Sequence, residues 1–212
     1  EGAFREVRDA LAGLREQGAC RLIMDLRGNG GGAVDECVNI ASLFLPRGQH
    51  LMSTKGKVPS TNYDYRTALE PVDTLMPLVL MVDGGSASCS EILAGGMQDL
   101  DRAVLIGERT YGKGLVQSVR DMSFGGQLKM TTCKYYIPSG RCIQAYDYRH
   151  LNADGSAKTL PDSLTHVFHT AGGREVRDGG GVMPDVKVQP DSLPSMLFDL
   201  TSSDEFFTYT TR

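Results

Sequence analysis

The stretch Leu78-Val-Leu-Met-Val-Asp-Gly-Gly-Ser-Ala-Ser-Cys-Ser-Glu91 runs from five apolar residues straight into a group of small ones. The apolar run predicts a buried strand, and the segment that starts at Asp83 predicts a helix that continues to about Leu100. A further short strand, Arg102 to Ile106, follows the helix. Strand, helix and strand in such close succession are typical of an α/β core.

The alternation of helices and strands extends to both sides of this unit. Upstream, apolar residues recur at helical spacing and a buried strand precedes a glycine-rich segment; downstream, two strand-like runs flank the turn Phe124-Gly-Gly126. The region from Asp147 to Gly181 is polar, and we expect long surface segments there. Helices are predicted over residues 4–14, 34–45 and 83–100, and strands over 20–26, 50–54, 78–82, 102–106, 115–119 and 127–136. We expect an α/β core (1–114), a β-rich and loop-rich part (115–190) and a C-terminal helix or tail (191–212).

The composition of the 212 residues is that of an ordinary globular protein, with 41% hydrophobic and 23% charged residues. The formal net charge is -4 and the sequence has no dense Lys/Arg block, so the charge pattern disfavours binding to nucleic acid or to an anionic membrane. The longest apolar runs are too short to span a bilayer. The five cysteines are widely spaced, without a C-x-x-C pair or a histidine at ligand spacing, so we expect free thiols and no metal site.

The small residues between the strand and the helix are typical of a site that presents a serine. Ser86, Ser88 and Ser90 lie near the start of the helix, where unpaired backbone N–H groups can stabilise an oxyanion. The alternative is that one of them is only the helix N-cap, a common position for serine. A serine nucleophile also needs a base, and none of the four histidines lies in a glycine-framed or strand-end position.

A candidate base follows the next strand, in Gly107-Glu-Arg-Thr-Tyr-Gly-Lys-Gly114. The spacing G-x-x-x-x-G-K resembles a phosphate-binding loop, but Gly114 replaces the Ser or Thr that holds magnesium, and the next residues favour a strand over a helix. We therefore disfavour nucleotide binding. A lysine withdrawn from water can replace histidine as a general base because burial disfavours its charged form. Lys113 is the candidate, and the alternative is a solvated loop lysine.

Three motifs together resemble one known family. They are Ile23-Met-Asp-Leu-Arg-Gly-Asn-Gly-Gly-Gly32, Gly85-Ser-Ala-Ser-Cys-Ser-Glu-Ile-Leu-Ala94 and Gly107-Glu-Arg-Thr-Tyr-Gly-Lys-Gly-Leu-Val-Gln117. In this order and spacing they resemble the carboxyl-terminal processing (tail-specific) serine peptidases of family S41. Tyr135-Tyr-Ile-Pro-Ser-Gly-Arg-Cys-Ile-Gln144 and Gly179-Gly-Gly-Val-Met-Pro-Asp-Val186 are similar to later motifs of that family. The resemblance implies a ClpP/crotonase-like spiral core of ββα units with an additional β region.

The resemblance assigns the catalytic roles by position in these motifs. It implies that Ser88 is the nucleophile, that Lys113 is the general base, and that Gln117 orients the lysine. It also implies an oxyanion hole made of two backbone N–H groups, that of Cys89 and that of either Gly31 or Gly32. Two departures from the family pattern, Gly30 for the usual proline and Cys89 for the usual alanine, remove no backbone donor.

Four charged residues are predicted to support this site. Asp99 lies eleven residues beyond Ser88, about 16 Å along a helix, so it cannot orient the serine hydroxyl as a triad acid would. Family variants have an acid at both Glu91 and Asp99, and we expect supporting contacts from both, with Glu91 the nearer. We expect Asp25 and Arg27 to form a strand-end pair that holds the oxyanion loop.

The resemblance implies a serine endopeptidase that hydrolyses peptide bonds in the C-terminal region of unstructured or tagged polypeptides through a Ser/Lys dyad, without a metal or organic cofactor. It also implies an upstream PDZ module and an export signal. We therefore expect the protease core of a larger exported protein of the periplasm or cell envelope, whose other parts could bring it to a membrane surface or into an oligomer. The alternative is a noncatalytic relative that uses the cleft to bind a peptide or an apolar ligand.

Overall fold

The structure, a computed structural model, describes residues 2–189, 196, 200, 203 and 205–211. Its helices are α1 (Ala3–Glu16), α2 (Val34–Ser42), α3 (Cys89–Asp99) and α4 (Glu205–Thr210). Its strands are β1 (Leu22–Asp25), β2 (His50–Gly56), β3 (Tyr63–Arg66), β4 (Leu78–Val82), β5 (Val104–Gly107), β6 (Leu115–Asp121), β7 (Gln127–Tyr136), β8 (Tyr146–Leu151), β9 (Ala157–Thr159), β10 (Val167–His169), β11 (Glu175–Arg177) and β12 (Val186–Lys187). Most of the predicted C-terminal tail lies outside the described residues. Within those residues, no helix is both long and apolar enough to cross a membrane.

A parallel sheet forms the centre of the fold, with the strand order β1-β4-β5-β12. In β4, the side chains of Leu78, Leu80 and Val82 are buried, as the apolar sequence predicts. Helix α3 connects β4 to β5, and every one of its residues is buried. Parallel neighbouring strands need such a crossover, and a helix buried on all sides belongs to a core. The predicted α/β core is confirmed.

A second, antiparallel sheet has the strand order β3-β2-β7-β6. It combines β2 and β3, which come from residues 1–114, with the long β6–β7 hairpin. Strand β12 likewise joins the parallel sheet beside β5. The two predicted parts, 1–114 and 115–190, therefore share both sheets, and the additional β region is built onto the α/β core.

The polar region between residues 147 and 181 differs from the expected long surface segments. It contains most of two two-stranded ribbons, β8–β9 and β10–β11. Their strands are three to six residues long and largely exposed, so they lack the apolar alternation that reveals a strand in a sequence. Helix α2 ends at Ser42 rather than at 45. Its last turn tightens, because the Leu43 N–H donates to the Ile40 carbonyl and the Phe44 N–H to the Ala41 carbonyl, three residues back instead of four.

A buried ion pair joins the end of α3 to the loop that follows β7. Arg141 Nη2 donates to Asp99 Oδ1 at 2.8 Å and to Gln98 Oε1 at 2.8 Å, and the Asp99 and Arg141 side chains are 0% and 1% exposed. Asp99 also accepts the Ser139 N–H at 3.0 Å, while Arg141 donates to the Arg177 carbonyl at 3.0 Å. Asp99 therefore anchors the β region to the core at the far end of α3.

This ion pair predicts a large stability defect. Asp99→Ala leaves the Arg141 guanidinium buried without its counter-charge, so we expect the free energy of unfolding to fall by about 3–5 kcal/mol. The matched control is Glu70→Ala, which breaks an exposed 3.3 Å pair with Arg47 and should change stability by less than about 1 kcal/mol. Urea denaturation followed by circular dichroism measures both values. Equal effects of the two substitutions would contradict this role for Asp99.

Candidate active site

The turn between β4 and α3 distinguishes the three candidate serines. Ser88 is the N-cap of α3 and has the backbone angles φ 58 and ψ -119, which non-glycine residues rarely adopt. Such a conformation costs about 1–3 kcal/mol and is found mainly at functional sites. Ser86 is fully buried and its hydroxyl donates to the Leu26 carbonyl at 2.7 Å, and Ser90 is 4% exposed. Of the three, only Ser88 reaches the surface.

A cleft of about 1200 Å³ adjoins this turn. Gly30 and Ala87 line one part of it, and Lys113, Leu115 and Gln117 line another. The Lys113 side chain is half-buried at the edge of this cleft, so it is less withdrawn from water than we expected. A smaller cavity of about 510 Å³, between α2 and β3, contains none of the predicted site residues.

The segment around Lys113 differs from a phosphate-binding loop. Strand β6 starts at Leu115, two residues beyond the lysine, so a strand follows this loop where a phosphate-binding loop has a helix. Among the described residues, no hydrogen bond joins the Ser88 hydroxyl to the Lys113 amine or the Gln117 amide to Lys113. The orienting role of Gln117 stays a prediction.

The Glu91 carboxylate holds the backbone of the serine turn against the backbone of the lysine loop. Its Oε2 accepts the N–H groups of Ser88 and Lys113, each at 2.9 Å. Its Oε1 accepts the Gly112 N–H at 2.6 Å and the Thr110 hydroxyl. Glu91 is 0% exposed. Burial raises the pKa of Glu91, while the four donors favour its ionised form and oppose this rise.

Three polar residues complete this buried network and were not assigned by sequence reasoning. The Tyr135 hydroxyl donates to the Lys113 carbonyl, and burial raises the pKa of Tyr135 well above its usual value, so the phenol stays neutral. Thr110 Oγ1 accepts the Val182 N–H at 2.7 Å, and Gln144 Oε1 accepts the Gly114 N–H at 2.8 Å. Tyr135 and Gln144 belong to a motif that the resemblance included, but only the fold brings them to the lysine loop.

The glycine-rich loop after β1 lies directly against the serine turn. At Gly31, where φ is 90, an added Cβ would lie 2.7 Å from Cys89 N, 2.7 Å from Ala87 O and 2.9 Å from Ser88 Cβ. Only glycine permits this approach. At Gly30 φ is not positive, and an added Cβ meets nothing within 4 Å.

The candidate oxyanion donors differ in whether they are already paired. The Gly31 N–H donates to Asn29 Oδ1 at 2.9 Å. In the described chain, the N–H groups of Gly32 and Cys89 donate to no protein acceptor. The Asn29 carbonyl also accepts the Ala87 N–H at 3.0 Å, which ties the loop to the serine turn. The geometry therefore favours Gly32 over Gly31 as the loop donor beside Cys89.

Carboxylates at the ends of β1 and β4 hold this loop in place. Asp25 and Arg27 form the predicted strand-end pair, with Oδ2 2.8 Å from Nη2, and the hydrogen bond from Arg27 lowers the pKa of Asp25. Asp83, which sequence reasoning did not single out, accepts the N–H groups of Gly28 at 2.8 Å and Gly85 at 2.9 Å. It therefore links the glycine-rich loop to the serine turn directly.

The thiol beside Ser88 belongs to a pair of buried cysteines. Cys89 Sγ donates to the Gly32 carbonyl at 3.0 Å, and Cys37 Sγ donates to the Cys89 carbonyl at 3.3 Å. The interaction with Cys37 lowers the pKa of Cys89 to about 7, and the charge of Lys113 acts in the same direction. All five cysteines are free thiols.

Known proteins share both this sequence and this fold. Residues 1–152 match the sequence model of Peptidase family S41. The carboxyl-terminal-processing protease of Synechocystis sp. is 43% identical over 136 residues, which are 64% of this chain and 31% of that protein. The chloroplastic carboxyl-terminal-processing peptidase 1 of Arabidopsis thaliana is 39% identical over 155 residues, covering 71% of this chain and 32% of the relative.

A solved structure extends the match to almost the whole chain. The photosystem II D1 C-terminal processing protease superimposes with a TM-score of 0.67 at 30% identity, covering 97% of this chain and 45% of that one. The chain spans about a third of the length of the curated relatives it matches. These matches confirm the resemblance and the fold class: the chain belongs to peptidase family S41.

Proposed function

We propose that this chain is the catalytic core of a serine endopeptidase that cleaves peptide bonds in the C-terminal region of unstructured or tagged polypeptides through Ser88 and Lys113. The observation that supports this proposal best is the shared carboxylate of Glu91, which binds the N–H groups of both residues at 2.9 Å. Family membership implies a serine-type peptidase hydrolase. The names of the relatives supply the expectation that its sites lie near the C-termini of its substrates.

The proposed reaction is acyl transfer in two steps. Neutral Lys113 takes the proton of Ser88 while Oγ attacks the carbonyl carbon of the substrate peptide bond. The free N–H groups of Cys89 and Gly32 bind the negative charge that develops on the carbonyl oxygen. Lys113 then gives the proton to the leaving amine, and water hydrolyses the ester on Ser88.

The hydrogen bond between Lys113 Nζ and Ser88 Oγ must form during this cycle. Catalytic hydrogen bonds are often long or misaligned before substrate binds. A lysine side chain has a flexible four-carbon stem, while the two backbones are already held by Glu91. We therefore propose that the hydrogen bond between Lys113 Nζ and Ser88 Oγ forms when substrate is bound.

A second function, peptide binding without cleavage, has one observation in its favour. In the described chain, neither Ser88 nor Gln117 forms a hydrogen bond with the Lys113 amine. The strained backbone of Ser88 favours the peptidase, since a binding cleft has no need of it. We also propose an exported location, a polypeptide substrate and no nucleic-acid partner.

The dyad predicts complete loss of cleavage on substitution of either residue. Ser88→Ala and Lys113→Ala should each lower kcat by at least about 10³-fold on an unstructured peptide. Lys113→Arg should be equally inactive, because a guanidinium stays protonated and cannot act as a base. The matched control is Lys129→Ala, an exposed lysine of β7 outside the cleft, which should keep full activity. Normal cleavage by any dyad variant that shows the wild-type circular dichroism would refute the mechanism.

The Glu91 contact predicts that Glu91→Gln impairs positioning more than substrate binding. The amide would turn an NH₂ group toward two of the four donors that the carboxylate accepts, which should cost about 1–3 kcal/mol of stability. We expect kcat to fall at least about 10-fold with little change in KM, as measured by peptide cleavage. Glu70→Gln, at an exposed carboxylate, should leave both constants unchanged. A variant with wild-type kcat would exclude Glu91 as the positioning residue.

The glycine-rich loop offers a matched pair of substitutions one residue apart. Gly31→Ala forces a Cβ into the backbone of the serine turn and should lower kcat at least about 10²-fold through displaced oxyanion donors. Gly30→Ala meets no atom within 4 Å and should remain within about threefold of wild type. Peptide cleavage by both variants, with thermal melting to verify folding, measures the difference. Similar losses in the two variants would contradict the close approach of Gly31.

A further inference from the structure

The cleft beside Ser88 concentrates positive charge in a chain whose formal net charge is -4. Two acidic side chains line the cleft, Asp147 and Asp178. The cationic side chains that line it are Lys55, Lys57, Lys113, Lys134 and Arg149. The local charge is therefore opposite in sign to that of the whole chain.

The two carboxylates of the cleft already have partners. Asp147 Oδ2 lies 2.6 Å from Nδ1 of His150, and Asp178 Oδ2 lies 3.2 Å from Nδ1 of His166. Asp178 also accepts the His166 N–H at 2.7 Å. Within the described residues, none of the five cationic side chains of the cleft forms an ion pair with a carboxylate.

Two of the lysines face each other across neighbouring strands. Lys55 of β2 is paired in register with Lys134 of β7, and Lys134 is paired in register with Leu115 of β6, two residues beyond Lys113. Like charges directly opposite each other destabilise a sheet. Lys55 Nζ has a partial compensation in the ring of Tyr136, whose centroid is 4.9 Å away. The pair is thus unfavourable in the free protein, and a bound anion near both ammonium groups would offset their repulsion.

We propose that Lys55 and Lys134 form an anion subsite of the cleft that binds carboxylates of the polypeptide substrate. The ligand is a peptide segment with Asp or Glu side chains, or with its own terminal carboxylate, next to the bond that Ser88 attacks. This inference deepens the proposed function and rests on it for the identity of the ligand as a substrate. Binding itself requires only the cleft and the lysines.

A binding measurement on the full-length protein with Ser88→Ala, which keeps the peptide intact, tests the subsite. The probes are matched unstructured peptides with a neutral fluorophore, carrying two Glu or two Gln, each with a free or an amidated C-terminus. At low ionic strength we expect the Glu peptides to bind about 5-fold more tightly than the Gln peptides by fluorescence anisotropy, and the difference to shrink at high salt. A preference for the free over the amidated C-terminus, without a Glu preference, would instead assign the terminal carboxylate as the bound group.

Matched charge variants show whether the binding preference comes from these two lysines or from the overall charge of the protein. Lys55→Gln combined with Lys134→Gln should abolish the preference. Lys129→Gln combined with Lys187→Gln removes the same charge from exposed positions outside the cleft and should preserve it. Equal binding of all peptides, or equal loss in the two double variants, would overturn the proposal.

Cleavage of the same peptides by the enzyme with intact Ser88 distinguishes a failure of the subsite from a failure of the proposed function. If the enzyme cleaves the Gln peptides and shows no preference for carboxylates, the subsite proposal is wrong and the peptidase proposal stands. If carboxylate peptides bind more tightly but no peptide is cleaved, the peptidase proposal is wrong and the anion subsite stands.

Discussion

The arrangement of the site depends on one buried carboxylate. Glu91 lies three residues after Ser88 in α3, so helical geometry returns its side chain to the N-terminus of its own helix. There it accepts the N–H of Ser88, as in many helix caps, but the same oxygen also accepts the N–H of Lys113 from the loop after β5. The capping carboxylate therefore also connects the backbone of the candidate nucleophile to that of the candidate base.

The burial of Glu91 is costly, and its surroundings offset that cost. Desolvation opposes ionisation, whereas four donors from two chain segments satisfy both oxygens. Tyr135 then holds the Lys113 carbonyl, and Asp83 and Asn29 hold the glycine-rich loop against the serine turn. Together these contacts hold the Ser88 backbone in its strained conformation, because they offset the cost of the strain. In the described chain the N–H groups of Cys89 and Gly32 donate to no protein acceptor, so they are available to bind an oxyanion.

The sequence was informative where local chemistry decides the structure. The apolar run of β4 followed by small residues predicted the strand, the helix and the candidate serines. The strand-like residues after Lys113 likewise predicted β6 where a phosphate-binding loop would have a helix. Local pattern alone left the three serines equivalent, and only the family resemblance singled out Ser88. Their difference is one of burial, which the packing of the serine turn and of α3 determines. Asp83, Tyr135 and Gln144 act on segments far away along the chain, so no local pattern reveals their role. The short ribbons β8–β9 and β10–β11 escaped notice because exposed strands lack apolar alternation.

The central claim is that Glu91 holds Ser88 and Lys113 as a reactive pair. The most direct measurement is the rate at which a phosphonylating serine probe modifies Ser88 in the full-length protein, with the site identified by mass spectrometry. The account predicts modification of Ser88 and of neither Ser86 nor Ser90, at a rate that falls at least about 10-fold in Lys113→Ala and in Glu91→Gln. Modification at the same rate in the wild type and in Lys113→Ala, or none at Ser88 in a protein that cleaves peptides, would contradict it.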